Sequence, residues 1–130
     1  MDFKQYQKRG YTAINPHTDL QDEILNWAVG LAEEAGEVMG CIKHGIWGRE
    51  GLDRVAIAKE IGDVLWYAAA LCTVLKLDMG VVAELNVSKL EHRFGSGVFT
   101  TKESKDRHGA ERKFAETDLF KDLMKRLYLK

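Results

Sequence analysis

Apolar residues recur at spacings of three and four along most of the chain, and no segment alternates with the period of a strand. Leu20, Ile24, Ala28, Leu31, Ala35, Val38 and Ile42 form one such stripe and predict a helix over about residues 20–43. Thr18 or Asp19 can cap it, and Asp22 and Glu23 in its first turn suit the positive end of the helix dipole. Ile57, Ile61, Val64, Ala68, Leu71 and Leu75 predict a second helix over about 53–76. The intervening stretch from His44 to Gly51 holds three glycines and Trp47, and reads as a loop. A third helix is expected over about 78–94, ended by Gly95-Ser96-Gly97. A last helix is expected over about 115–129, with Leu119, Phe120, Leu123 and Leu127 inward. A short helix over about 2–9 precedes a turn around Pro16, the sole proline. The expectation is an all-α helical bundle in which two long antiparallel helices are joined by a third and by peripheral ones. The apolar stripes exceed what a monomer of this size covers. Helix pairs from two subunits packing as a four-helix bundle would cover them, so a homodimer or homotetramer is expected.

The polar positions that interrupt these stripes carry the chemistry. Glu33-Glu34-Ala35-Gly36-Glu37 reads E-E-x-x-E, and Glu60-Ile61-Gly62-Asp63 reads E-x-x-D. Carboxylates three residues apart project from the same side of a helix. At about 100° per residue, Glu34 and Glu37 share a face with Trp27, Gly30 and Cys41. Glu60 and Asp63 share theirs with Ala56, Tyr67, Ala70 and Val74. Acids on a solvated face are ordinary. Two pairs on successive long helices, each against an apolar flank, are costlier to leave unpaired. Facing each other, they would form a set of hard oxygen ligands suited to Mg²⁺ or Mn²⁺, an ion usually shared with substrate phosphates. Asn86, Lys89 and Arg93 align on the third helix, an amide and two cations suited to a phosphate.

Composition narrows the partners. The chain has 130 residues, enough for one domain (core about 20–94, charged tail about 98–130), and a formal net charge of −1. No bulk field favours a nucleic acid polymer or an anionic membrane. No run approaches the roughly 18 apolar residues of a membrane span, and the N-terminus lacks a signal-peptide form, so a cytoplasmic location is expected. Cys41 and Cys72 lie inside helical patterns without zinc spacing and read as reduced, buried thiols. A di-iron oxygen site would need Glu-x-x-His pairs, and no histidine stands three residues after a glutamate.

The ordered set of E-E-x-x-E, a gap of 22 residues, E-x-x-D and then Asn86-x-x-Lys89-x-x-x-Arg93 resembles the MazG family of all-α nucleoside triphosphate pyrophosphohydrolases. The words Gly30-Leu31-Ala32-Glu33-Glu34-Ala35-Gly36-Glu37-Val38 and Glu60-Ile61-Gly62-Asp63-Val64-Leu65-Trp66-Tyr67 are similar to its two central helices. The stretch from Phe99 to Arg107 is similar to the tail of small MazG-like proteins. The resemblance implies hydrolysis of a (d)NTP to the monophosphate and pyrophosphate, a nucleotide-pool cleansing activity in a stand-alone module. By position, it implies that Glu34, Glu37, Glu60 and Asp63 hold Mg²⁺, that Glu33 handles a water or a further metal, and that Asn86, Lys89 and Arg93 meet the nucleotide and its phosphates. Arg107 would close over the triphosphate. Trp27 and Trp47 are candidates to contact the base, although a tryptophan on an amphipathic helix is more often core. The alternatives are phosphoribosyl-ATP pyrophosphohydrolysis, in the same superfamily, and a non-catalytic helical interaction module.

Overall fold

A computed structural model describes residues 1–12, 19–49, 51–95 and 100–129. Among the described residues there are seven helices and no strand: α1 (Phe3–Tyr11), α2 (Leu20–Trp47), α3 (Arg54–Val74), α4 (Met79–Arg93), α5 (Thr101–Lys105), α6 (Arg107–Ala115) and α7 (Asp118–Arg126). The all-α expectation holds. No helix among the described residues is long and apolar enough to cross a membrane. They form two compact units, one of Met1 and Gln5–Leu75, the other of Asp2–Lys4 and Lys76–Lys130.

Aspartates set the starts of the three main helices. Asp19 accepts from Gln21 and Asp22 N–H, Asp53 from Val55 and Ala56 N–H, and Asp78 from Gly80 and Val81 N–H. Each satisfies two of the N–H groups that a helix start leaves without intrahelical partners. The alternative cap, Thr18, and the turn around Pro16 lie outside the described residues, as do Ser96, Gly97 and Phe99.

In the first unit α2 and α3 pack antiparallel along their length. Trp27 lies 5.4 Å from Trp66 and 5.8 Å from Tyr67, ring centre to ring centre, and Trp66 and Tyr67 are 4.9 Å apart. Gly30 makes the close approach possible, because a Cβ there would collide with the Tyr67 ring. α1 lies across α3: Trp66 Nε1 donates to Gly10 O at 3.2 Å and Gln7 Nε2 to Thr73 Oγ1 at 3.1 Å.

Several expectations are corrected by the structure. α2 does not stop near residue 43 but runs to Trp47, with Gly48 as its cap donating to His44 O. Gly45 breaks nothing. It admits the returning chain, since a Cβ there would sit 2.7 Å from Gly51 O. The turn is made further on, where Arg49 and Gly51 take φ of 61° and 81°. Trp47 therefore ends a helix rather than sitting in a loop. The buried face of α2 is also rotated from the expected stripe: Glu23, Trp27 and Gly30 are buried, while Leu20, Ala28 and Ala35 are exposed. The aromatic cluster pulls the face that carries the acids toward α3. On α3, Ala69 and Ala70 are buried and Ile61 and Leu75 are exposed.

In the second unit α4, α6 and α7 enclose Val81, Phe114 and Leu123, with Leu85, Phe120, Met124 and Leu127 packed around them. The single helix expected over 115–129 is instead two helices. The chain breaks at Glu116 and restarts at Thr117, whose hydroxyl accepts from Phe120 N–H at 3.1 Å. The restart turns Leu119 outward and leaves Leu123 as the fully buried residue.

Candidate functional site

The antiparallel pairing of α2 and α3 brings the two acidic motifs level with each other. One oxygen from each of Glu34, Glu37 and Glu60 lies within 4.8 Å of the others. Glu34 and Glu60 are half-buried and Glu37 is exposed. Burial holds the Glu34 carboxyl above its ordinary range, and repulsion from Glu37, Asp63, Glu60 and Glu33 adds to this. Asp63, the fourth expected ligand, lies near enough to act on Glu34 but outside that group of three. Glu33 is exposed and also contributes to the field at Glu34.

Beside the acids stands Tyr67. Its phenol is raised above its ordinary range by burial first, then by Glu34, Glu33 and Asp63. Gly30 and Tyr67 together carry the aromatic packing up to the edge of the carboxylates. Trp27 lies deeper, 5% exposed. Its Nε1 and the Glu23 Oε1 one turn earlier are buried without a hydrogen-bond partner among the described residues. Trp47, at the far end of α2, is 75% exposed.

The remaining expected site residues belong to the second unit. Asn86 and Lys89 line a cavity of 390 Å³ together with Glu111, Phe114 and Phe120. Arg93 lies one turn beyond Lys89, and its Nη2 donates to Glu111 Oε1 at 2.9 Å. Arg107 Nε donates to the same oxygen, also at 2.9 Å. The hydrogen bond from Arg107 holds the Glu111 carboxyl below its ordinary range, and the charges of Arg107, Arg93 and Lys89 reinforce it against partial burial. Glu111 was not anticipated from the sequence. Its spacing of four from Arg107 was visible, but the partnership with Arg93, 18 positions away, is a product of the fold.

The first unit thus presents mutually repelling oxygens in an all-α frame, a donor set suited to a hard divalent cation. The MazG nucleotide pyrophosphohydrolase domain matches residues 23–96, which span both acidic motifs and the Asn86–Arg93 face. The Gene 37 protein of Mycobacterium phage L5 is 34% identical over 94 residues, covering 67% of this chain and 82% of the phage protein. No solved structure gives a significant match. The chain belongs to the MazG nucleotide pyrophosphohydrolase family.

Proposed function

We propose that the protein is a Mg²⁺-dependent nucleoside triphosphate pyrophosphohydrolase that converts a (d)NTP and water to the (d)NMP and pyrophosphate, cleansing a nucleotide pool in the cytoplasm. The observation that carries this reading is the trio of Glu34, Glu37 and Glu60 oxygens within 4.8 Å of one another in a MazG-family chain. Glu34, Glu37 and Glu60 would hold the cation directly, with Asp63 as the further ligand that the family resemblance implies. The raised Glu34 carboxyl fits this role, because a cation would offset the burial, and relieve the repulsion, that raise it. When bound, Mg²⁺ neutralises phosphate charge and makes water a nucleophile near neutral pH.

Glu33, solvent-facing beside Glu34, would accept the proton that water loses. Lys89 and Arg93 would counter the charge that develops on the departing pyrophosphate, with Asn86 orienting the nucleotide and Arg107 closing over the phosphates. For the base, Trp27 offers a buried indole N–H without a partner among the described residues, and Trp47 an exposed ring on which a base can stack.

The functional unit on this reading is a homodimer, or a tetramer of two such dimers. Leu25, Val29 and Met39 on α2 and Val55, Ile61 and Leu65 on α3 are exposed at helical spacing. An apolar ridge on each of two paired helices is the surface that a second helix pair would bury.

The test is a panel of nucleotides with Mg²⁺ in which monophosphate, diphosphate, pyrophosphate and phosphate are resolved. Monophosphate and pyrophosphate in equal amounts support the reading. Stepwise release of phosphate contradicts it. Turnover confined to phosphoribosyl-ATP would move the activity to that neighbouring chemistry. No turnover and no metal binding would leave a helical interaction module.

A further inference from the structure

The polar groups around α6 form a finished ion cluster with an unusual stoichiometry. Lys89, Arg93 and Arg107 act on one carboxylate, that of Glu111. Among the described residues, these three cations act on this one anion. The two guanidinium groups meet on a single oxygen, Oε1, each at 2.9 Å. The Arg93 side chain is 11% exposed and its Nε is buried without a hydrogen-bond partner among the described residues. Its capacity as a donor is therefore not used up by Glu111.

Arginine binds carboxylate and phosphate with the same N–H groups in the same planar geometry. A phosphate reaching Arg93 Nη2 and Arg107 Nε must take the position that Glu111 Oε1 holds. The two side chains fixing Glu111 differ in their freedom. Arg93 is nearly enclosed, whereas Arg107 is 61% exposed and pairs across a single helical turn, the weak kind of ion pair. The contact has a firm half and a half that opens easily.

We infer that Glu111 is a built-in competitor for the phosphate site: its carboxylate occupies the Lys89–Arg93–Arg107 group when no ligand is bound, and a substrate's pyrophosphoryl oxygens displace it. Glu111 then sets the affinity for the polyphosphate rather than the rate of the chemistry, keeping the nearly buried Arg93 paired until a more highly charged anion arrives. The low-lying Glu111 carboxyl agrees, since the residue remains an anion throughout the neutral range. The role in substrate binding rests on the pyrophosphohydrolase reading; the competition with a phosphate anion does not.

The experiment is calorimetric titration of the full chain with inorganic pyrophosphate in metal-depleted buffer, so that neither turnover nor the acidic centre is involved. Glu111→Gln keeps the side-chain shape and removes the charge. It should bind pyrophosphate about tenfold more tightly than the wild type, the scale of one charged hydrogen bond that no longer competes. Arg107→Gln should bind it more weakly. With a hydrolysed nucleotide, Glu111→Gln should lower KM by a similar factor and leave kcat unchanged. Unchanged or weaker pyrophosphate binding by Glu111→Gln would overturn the inference, as would no binding by either protein. If Glu111→Gln does not fold, Glu111→Asp decides instead. Its retracted carboxylate should bind pyrophosphate more tightly than the wild type, and equal or weaker binding overturns the inference. Tighter pyrophosphate binding without turnover of any nucleotide would sink the enzyme reading and leave Glu111's role standing.

Discussion

Glu34, Glu37 and Glu60 in the first unit converge with like charge on like, whereas in the second unit Lys89, Arg93 and Arg107 converge on a carboxylate of the chain itself. The first centre raises the carboxyl at its middle and the second lowers it. A cluster of one sign is incomplete as it stands and gains from a cation. A cluster that already contains its counter-ion is stable alone, and a ligand must win its place. The difference follows from what each surrounds: the acids rest on aromatic packing that cannot neutralise them, and the bases surround a helix that brings its own anion.

The contrast can be broken hardest at the acids. Glu37→Gln or Glu60→Gln should lower turnover roughly a hundredfold to a thousandfold, as for loss of one preorganised charge-stabilising group. The same variants should melt no lower than the wild type without metal, because repulsion is removed. A thermal scan in chelator beside the rate assay checks both halves. Breaking the second unit's frame should do the reverse. Leu123→Ala, at the position 0% exposed, should cost about 3 kcal/mol in urea unfolding. Metal binding by the acids of the first unit should survive it at temperatures where the protein stays folded.

A smaller effect is expected on the exposed ridge. Leu65→Glu should shift sedimentation from dimer to monomer at micromolar concentration while helicity is kept. A wild type that already sediments as a monomer would rule out the dimer.

The smallest effect separates the two carboxyls by pH. The Glu34 value is raised in the folded protein, so the native state holds its proton longer than the unfolded chain does. Without metal, stability should therefore fall as pH rises from the ordinary carboxylate value through the raised one. The Glu111 value is lowered. Its stabilisation is present above the ordinary carboxylate value and is lost as pH falls through the lowered one. Glu34→Gln should flatten the first limb of the stability profile and Glu111→Gln the second, read from urea midpoints in chelator.

Much of this was legible in the sequence, for physical reasons that also mark where legibility ends. The E-E-x-x-E and E-x-x-D spacings report positions on one helix face, and short connections force antiparallel neighbours, so the acidic trio followed from local rules. The Asp53 and Asp78 caps fixed helix starts to within a residue of expectation. The rotation of α2 was not legible, because it depends on Trp27, Trp66 and Tyr67 stacking across two helices. The end of α2 was not legible, because Gly45 looks like a helix breaker and is there for close approach. Thr117 as a helix start inside a charged tail was hidden by the periodicity on either side of it. Of Glu111 only the spacing of four from Arg107 was legible, since its partnership with Arg93 joins two helices 18 positions apart.

On the proposed function, Glu34, Glu37 and Glu60 hold a divalent cation. A titration with Mn²⁺ followed by electron paramagnetic resonance tests it most directly, with the wild type beside Glu37→Gln and Glu60→Gln, at neutral pH and again after acidification. The wild type should bind Mn²⁺, each variant at least tenfold more weakly, and the wild type itself more weakly as acid protonates Glu34. Equal Mn²⁺ affinity in the wild type and both variants would contradict it.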